Sequence, residues 1–472
     1  MIEPVNKALS DKMQDEGLNI TLRSMVLDDH GTKYPTLYAT GVDFTMAFDA
    51  PWYKMTSLRD SGSLVPLESL VDQYGPVTKQ HVGEKVYYFN FSPDKHLYGI
   101  PAGGAYGSTI GVVLREDLRL KYGAPAPDSS VGVASLEPFL QAIKDNEPNM
   151  IPLAVTSGAT GYSVGGMTLQ AYHKWLPGGS GACPGLCFPD VFAAPKYDND
   201  ETLQEWQDNT KLCHEWWKEG LINKEDLTGN TVTEGIGTTI FATGRAAAWL
   251  ENEPDWKYVE FGKMLNANYP DAQAMGYDLT GIRSGKGKTL GLLKQWNFIV
   301  FNAGAPTEQQ VAGIQFFNWL HGSQDNMDLW LMGIEGVNYK KEPNMRFSEI
   351  EGVDATRNYR RQPYVGGCGL QVQRHPIDLP QYAMDTFIHR TTESNFDFNP
   401  YEAFEPSTKE VEVELATLAG LYQEAIYGIK TGQKPPEESM PFYTQTLDGG
   451  GRQDVKAKLQ AQFDEWLAAN PV

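Results

Sequence analysis

A chain of 472 residues, 41% of them hydrophobic, is long enough for two or three units that each bury a core, and it shows neither a fixed-period repeat nor a low-complexity tract. The formal net charge of −21 repels phosphate backbones and argues against nucleic acid as a partner. The longest apolar runs, such as 110–114 and 298–301, fall far short of the roughly 20 residues that a membrane-spanning helix needs.

In chain order, "VNKALSDKM" places Val5, Leu9 and Met13 on one helical face, with Gly17 as its cap. "NITLRSMVL" then reads as a strand. "VDFTMAFDAPW" is a second strand, ending at Asp49 and stopped by Pro51. Residues 136–146 read as a helix and "MIPLAV", 150–155, as a buried strand. Over 201–221 the stripe Leu203, Trp206, Thr210, Cys213, Trp217 and Leu221 makes those tryptophans core residues. Alternating strands and helices imply an α/β protein whose mostly parallel sheets are covered on both faces. The end of the chain changes character. A helical stripe runs through Val411, Leu415, Leu418, Tyr422, Ile426 and Ile429, a loop containing "KPP" follows, and a last helix carries Val455, Leu459, Phe463 and Trp466.

Four cysteines are present, and "CPGLC" at 183–187 can close a small disulfide only if the chain is exported. A zinc site from Cys183, Cys187, Cys213 and His214 fits no standard ligand spacing. The basic cluster "RNYRRQ", 357–362, is either a solvated surface or a local site for a carboxylate or sulfate. "FATGRAAAWLENEPDW", 241–256, sets Trp249 beside Glu251 and Asn252, where the ring either finishes a core strand or walls a wet pocket.

Several stretches together resemble one family. "YPTLYATGVDFTMAFDAPW", "HLYGIPAGGAYGSTIGVVLREDLRLKYG", "FATGRAAAWLENEPDW" and "LMGIEGVNY" are similar, in order and spacing, to segments of the family 1 extracellular solute-binding proteins, the receptors of ABC importers. "FEPSTKEVEVELATL", "PEESMPFYTQTL" and "VKAKLQAQFDEWLA" resemble the helical C-terminal domain of the Gram-positive lipoprotein members. The resemblance implies a two-lobed periplasmic-binding-protein-like fold. Residues 1–105 and 296–328 would form one lobe, 106–295 and 329–404 the other, and 405–472 a docked helical segment. It further implies capture of a carbohydrate, most simply an oligosaccharide, in an interlobe cleft and delivery to ABC permease subunits. The protein would be a non-catalytic monomer without cofactor or metal, outside the membrane on a lipid anchor. The family's first strand, anchor cysteine and signal peptide are expected ahead of Met1. "DNEPNMIP", 145–152, is too short and proline-rich for the calcium loop of some longer members.

Sugars offer flat C–H faces to aromatic rings and paired hydroxyls to carboxylates, amides and guanidinium groups. On that logic the expected ligand-binding residues are Asp49, Trp52, Tyr106, Tyr162, Trp249, Glu251, Asn252, Trp296, Asn297, Glu335 and Arg361. The alternative is a secreted hydrolase. "GYSVG" matches the nucleophile-elbow pattern at Ser163, with His321, His375 or His389 to complete a triad, but the preceding strand ends some seven residues early. A glycosidase would need one carboxylic acid with a raised pKa, which 60 acidic residues do not by their number supply.

Overall fold

In the computed structural model the described residues are 2–27, 30–40, 43–51, 53–103, 106–107, 110–155, 164, 185–189, 196–225, 240–252, 254–279, 289–353, 358–407 and 409–470. The chain divides into two units. The first is Met1–Tyr106, Leu292–Gln381 and Thr391–Glu393; the second is Gly107–Gly291, Tyr382–Arg390 and Ser394–Val472.

The first unit opens with the helix Ile2–Asp15, which buries Val5, Leu9 and Met13 as their spacing requires. Gly17, at φ 83°, turns the chain out of it, and the Leu18 N–H bonds back to the Met13 carbonyl. The strand expected over 19–27 is absent. Leu22 donates its N–H to Ser10 Oγ, and Ser24 Oγ donates to Asn6 Oδ1, so this segment is tied to the helix instead of a ladder. The sheet sets Phe298–Phe301 between Met46–Asp49 and Ile100–Pro101, antiparallel to both. Its apolar side rests on Tyr34, Leu58 and Leu64. The helices Thr307–Leu320 and Gln324–Met332 follow, and Phe316 meets Trp330 with centroids 5.2 Å apart.

In the second unit Ile110–Arg115 is the central strand, flanked antiparallel by Ala248–Asn252 and Ala274–Asp278. Ile110, Val112 and Leu114 face a core with Phe139, Leu140 and Ile143 of the helix Glu137–Asn146. Residues 151–154 join as parallel bridges to Ala246, Ile222 and Trp249, and Leu153, Ala154 and Val155 are buried. The α/β class stands, but the larger described ladders are antiparallel where mostly parallel sheets were expected. The strand that re-enters each sheet after a long connection runs counter to its neighbour, and such connections permit either sense.

On the helix Gln204–Glu219 both Trp206 and Trp216 are buried, Trp206 in the core shared with the closing helices and Trp216 in the core under the strand Ile110–Arg115, while Trp217 of the expected stripe is only partly buried against the latter. Three helices close the chain: Glu412–Thr431, Pro436–Gly449 and Arg452–Ala469. The middle one replaces part of the expected loop. Pro435 and Pro436 occupy its N-cap and first position, where a missing N–H costs nothing, and Tyr443 and Leu447 are buried. These helices share one core with Leu186, Phe188, Tyr197 and Trp206, into which Val455, Leu459 and Phe463 insert. Each such side chain contributes about 1.5–3 kcal/mol.

Candidate functional site

At one end of the first unit's sheet, Asp49 pairs with Phe298, and Pro101 pairs with Phe298 from the other side. Half-buried Trp296 and Asn297 therefore precede the central strand at the edge where Asp49 ends its own. The Asn297 carbonyl accepts from the Ala102 N–H at 3.1 Å. Asp49 sits at the strand end as expected, yet its carboxylate is fully buried. Oδ1 accepts from the N–H groups of Ala50 (2.7 Å) and Lys54 (3.0 Å), fixing the turn into the helix Met55–Asp60. Oδ2 accepts from the Tyr34 hydroxyl at 3.0 Å, which in turn lies 2.9 Å from that of Tyr38. Tyr53 stacks on Tyr34 with centroids 6.0 Å apart. Burial pushes the Tyr34 and Tyr38 hydroxyls up, with the Asp49 charge adding to it, so both remain neutral donors. This tyrosine group was missed in the sequence, although the i, i+4 spacing of Tyr34 and Tyr38 was its signal. Tyr106 is half-buried, and its carbonyl accepts from Leu292 at 2.8 Å, where the chain returns to this unit. Trp52 lies outside the described residues.

In the second unit Trp249 pairs with Val113, on the sheet face opposite Val112 and Leu250. The helix Pro254–Asn266 covers this face, with Gly262 over Ala274. Trp249 is 7% exposed and its indole N–H donates to Glu251 Oε2 at 3.4 Å. Glu251 is also buried and pairs with Lys257 of that helix at 2.9 Å. The ring is thus buried beside one carboxylate that an ammonium already neutralises. Asn252 ends the strand opposite Ile110. Tyr162 and Ser163 lie outside the described residues.

Glu335 and Arg361 gather instead around the helix Gln324–Met332. Exposed Glu335 reaches Lys341 at 3.6 Å. The Arg361 guanidinium lies 3.8 Å from the Trp330 ring centre, and the Arg361 backbone N–H donates to the Leu331 carbonyl. Arg360 stacks 4.4 Å over Phe347, so these two arginines lie on rings. Of the proposed triad histidines, His321 is buried and stacked on His81 at 4.1 Å, with its nitrogens at Thr78 Oγ1 and the Gly367 carbonyl. Burial holds both imidazoles well below the usual range, His81 at about 4. His375 is likewise buried, and His389 stands 5.5 Å from the Phe396 ring.

Cys187, Cys213 and Cys368 are buried free thiols, and Cys183 lies outside the described residues. Cys213 Sγ lies 3.6 Å from the Lys430 carbonyl and His214 Nδ1 2.8 Å from that of Gly432, an arrangement that serves helix packing. Among the described residues no cluster of His, Cys, Asp and Glu is arranged to hold a metal, and no helix is long and apolar enough to cross a membrane. A recess of about 270 Å³ lies between the helices Glu412–Thr431 and Pro436–Gly449, lined by Gln423, Tyr427, Lys434 and Phe442 among others; it contains none of the expected site residues.

Residues 400–468 match a family model described as a domain of unknown function, DUF3502. Over 99% of this chain and 88% of the relative, the sequence is 20% identical to a carbohydrate ABC transporter substrate-binding protein of Streptococcus pneumoniae serotype 4 (strain ATCC BAA-334 / TIGR4). The crystal structure of the N-glycan transport solute binding protein NgtS from Streptococcus pneumoniae is similar at a TM-score of 0.76, with 17% identity, covering 98% of this chain and 94% of that one. The same protein in complex with Man5GlcNAc matches at a TM-score of 0.67, again with 17% identity, covering 99% and 95%. These likenesses show the two-domain periplasmic-binding-protein-like fold.

Proposed function

We infer that this chain, a relative of the carbohydrate-type ABC solute-binding proteins, captures an oligosaccharide outside the membrane, without cleaving it, and hands it to an ABC permease. The observation that carries the reading is the match to a carbohydrate ABC substrate-binding protein over 99% of this chain, on a fold of the same kind. A receptor of this fold works by differential contact: a ligand that prefers one arrangement of the lobes shifts the population toward it. The half-buried Tyr106, Trp296 and Asn297 are the groups we propose for sugar contact in the first unit. Asp49, Trp249 and Glu251 would shape the strand ends behind such contacts, since their polar atoms are engaged within the protein. Trp52, Tyr162, Asn252, Glu335 and Arg361 stay in the proposed set, with attachment by a lipid anchor and a monomeric state.

The test is a thermal-shift series with Man5GlcNAc, Man1GlcNAc (the glycan of another NgtS complex), neutral hexose oligomers, alginate oligomers and peptides. A ligand that binds only the folded chain raises the melting temperature once its concentration exceeds Kd. A shift with a neutral glycan recovered intact by mass spectrometry is expected. Cleavage of the stabilising glycan would install the hydrolase reading, and a response to peptides alone would remove the carbohydrate.

A further inference from the structure

The helix Glu84–Phe89 carries rings that the strand-end groups do not use. Tyr88 is 66% exposed, its ring edge-to-face with Phe89 at 5.8 Å and 6.4 Å from Phe91. Asn90 holds this segment in place. Its Nδ2 donates to the carbonyls of Val86 (2.6 Å) and Leu293 (3.0 Å), and its Oδ1 accepts from the Gln295 N–H at 2.8 Å. The ring set is thereby fixed beside the backbone that leads directly into Trp296 and Asn297.

Lys85 stands three residues before Tyr88 and so shares its helix face. The Lys85 ammonium lies 2.6 Å from Glu393 Oε1, with both side chains well exposed. Tyr106, half-buried, is within electrostatic range of both charges. An exposed ion pair contributes little to stability. Beside two phenols, however, it offers donors and acceptors next to a stacking face, the combination that takes a pyranose ring. The pair adds no net charge, which suits a neutral sugar.

Resting on the carbohydrate reading above, we propose that Lys85, Tyr88, Tyr106 and Glu393 form a subsite for one unit of a neutral oligosaccharide, with Tyr88 as its stacking platform. Short glycans end before this subsite and long ones reach it. Isothermal titration of the wild type, Tyr88→Ala and Tyr88→Phe with Man5GlcNAc and Man1GlcNAc tests the assignment. If the wild type binds neither, the longest and shortest glycans that it does bind replace them. Tyr88→Ala is expected to lower the long-to-short affinity ratio about three- to tenfold, and Tyr88→Phe to retain it. An unchanged ratio in Tyr88→Ala, or a Tyr88→Phe that loses as much as Tyr88→Ala, would overturn the subsite and leave the carbohydrate reading intact. A wild type that binds no glycan of any length would overturn that reading, and the subsite with it. Unchanged circular-dichroism melting of both variants separates a binding effect from a folding one.

Discussion

Arg452 has no exposed side-chain surface. Its guanidinium meets Glu201 at 2.6 and 2.7 Å and Asp448 at 2.8 Å. Removing one partner of a buried pair strands the others, so Arg452→Ala is expected to lower stability by about 3–5 kcal/mol in urea unfolding, and Arg452→Lys to restore little of the forked geometry. Trp249, buried on its strand, should cost a similar amount, about 3–5 kcal/mol, on truncation to alanine. If the folded Trp249→Ala variant binds its glycan with wild-type affinity, the ring shapes the strand and touches no ligand. The buried histidines set a pH dependence. Burial depresses His81 and His375 to about 4, so between that value and the usual 6.5 the unfolded chain binds more protons. Their contribution to stability is complete above about pH 6.5 and is lost as pH falls toward 4; His96, raised by its bond to Glu68, works in the opposite direction. Imidazole resonances of His81 and His375 that do not titrate above pH 5 would verify this, as would a falling urea midpoint from pH 7 to 4.5.

At the scale of elements, helices whose apolar residues recur every three to four positions were legible without coordinates. Val5, Leu9 and Met13, or Val455, Leu459 and Phe463, are buried as their spacing requires. The helix Pro436–Gly449 was not, because its two leading prolines read as a loop while serving as a helix start. Residues 19–27 were misread as a strand for the converse reason: extended backbone has the right residue types, but a ladder needs a partner, and this segment bonds side chains of a helix. Helix ends are testable. Gly432, at φ 67°, closes Glu412–Thr431, and a Cβ there would sit 2.4 Å from the Cys213 carbonyl oxygen. Gly432→Ala should therefore cost on the order of 1–3 kcal/mol, read as a drop in melting temperature. Ser323 caps Gln324–Met332 by accepting from the Asn326 N–H, and Ser323→Ala should cost about 1 kcal/mol.

For the whole molecule, a net charge of −21 works against the compact state by self-repulsion, which salt screens. Raising NaCl from about 0.02 to 0.3 M, which shortens the Debye length about fourfold, should raise the melting temperature of the glycan-free chain; a fall would mean that local ion pairs outweigh the net charge. The sequence by itself determined the α/β class and the helical ending. Those depend on residue types at short, regular spacing, which a linear reading preserves. Only the tertiary structure decided that Asp49 turns inward to hold the backbone of the turn before a helix, that Trp249 is buried beside a neutralised Glu251, and that Lys85 meets Glu393 within reach of Tyr106. The direction of a strand-end side chain and the meeting of residue 85 with residue 393 depend on packing between segments far apart in the chain, to which local spacing is blind.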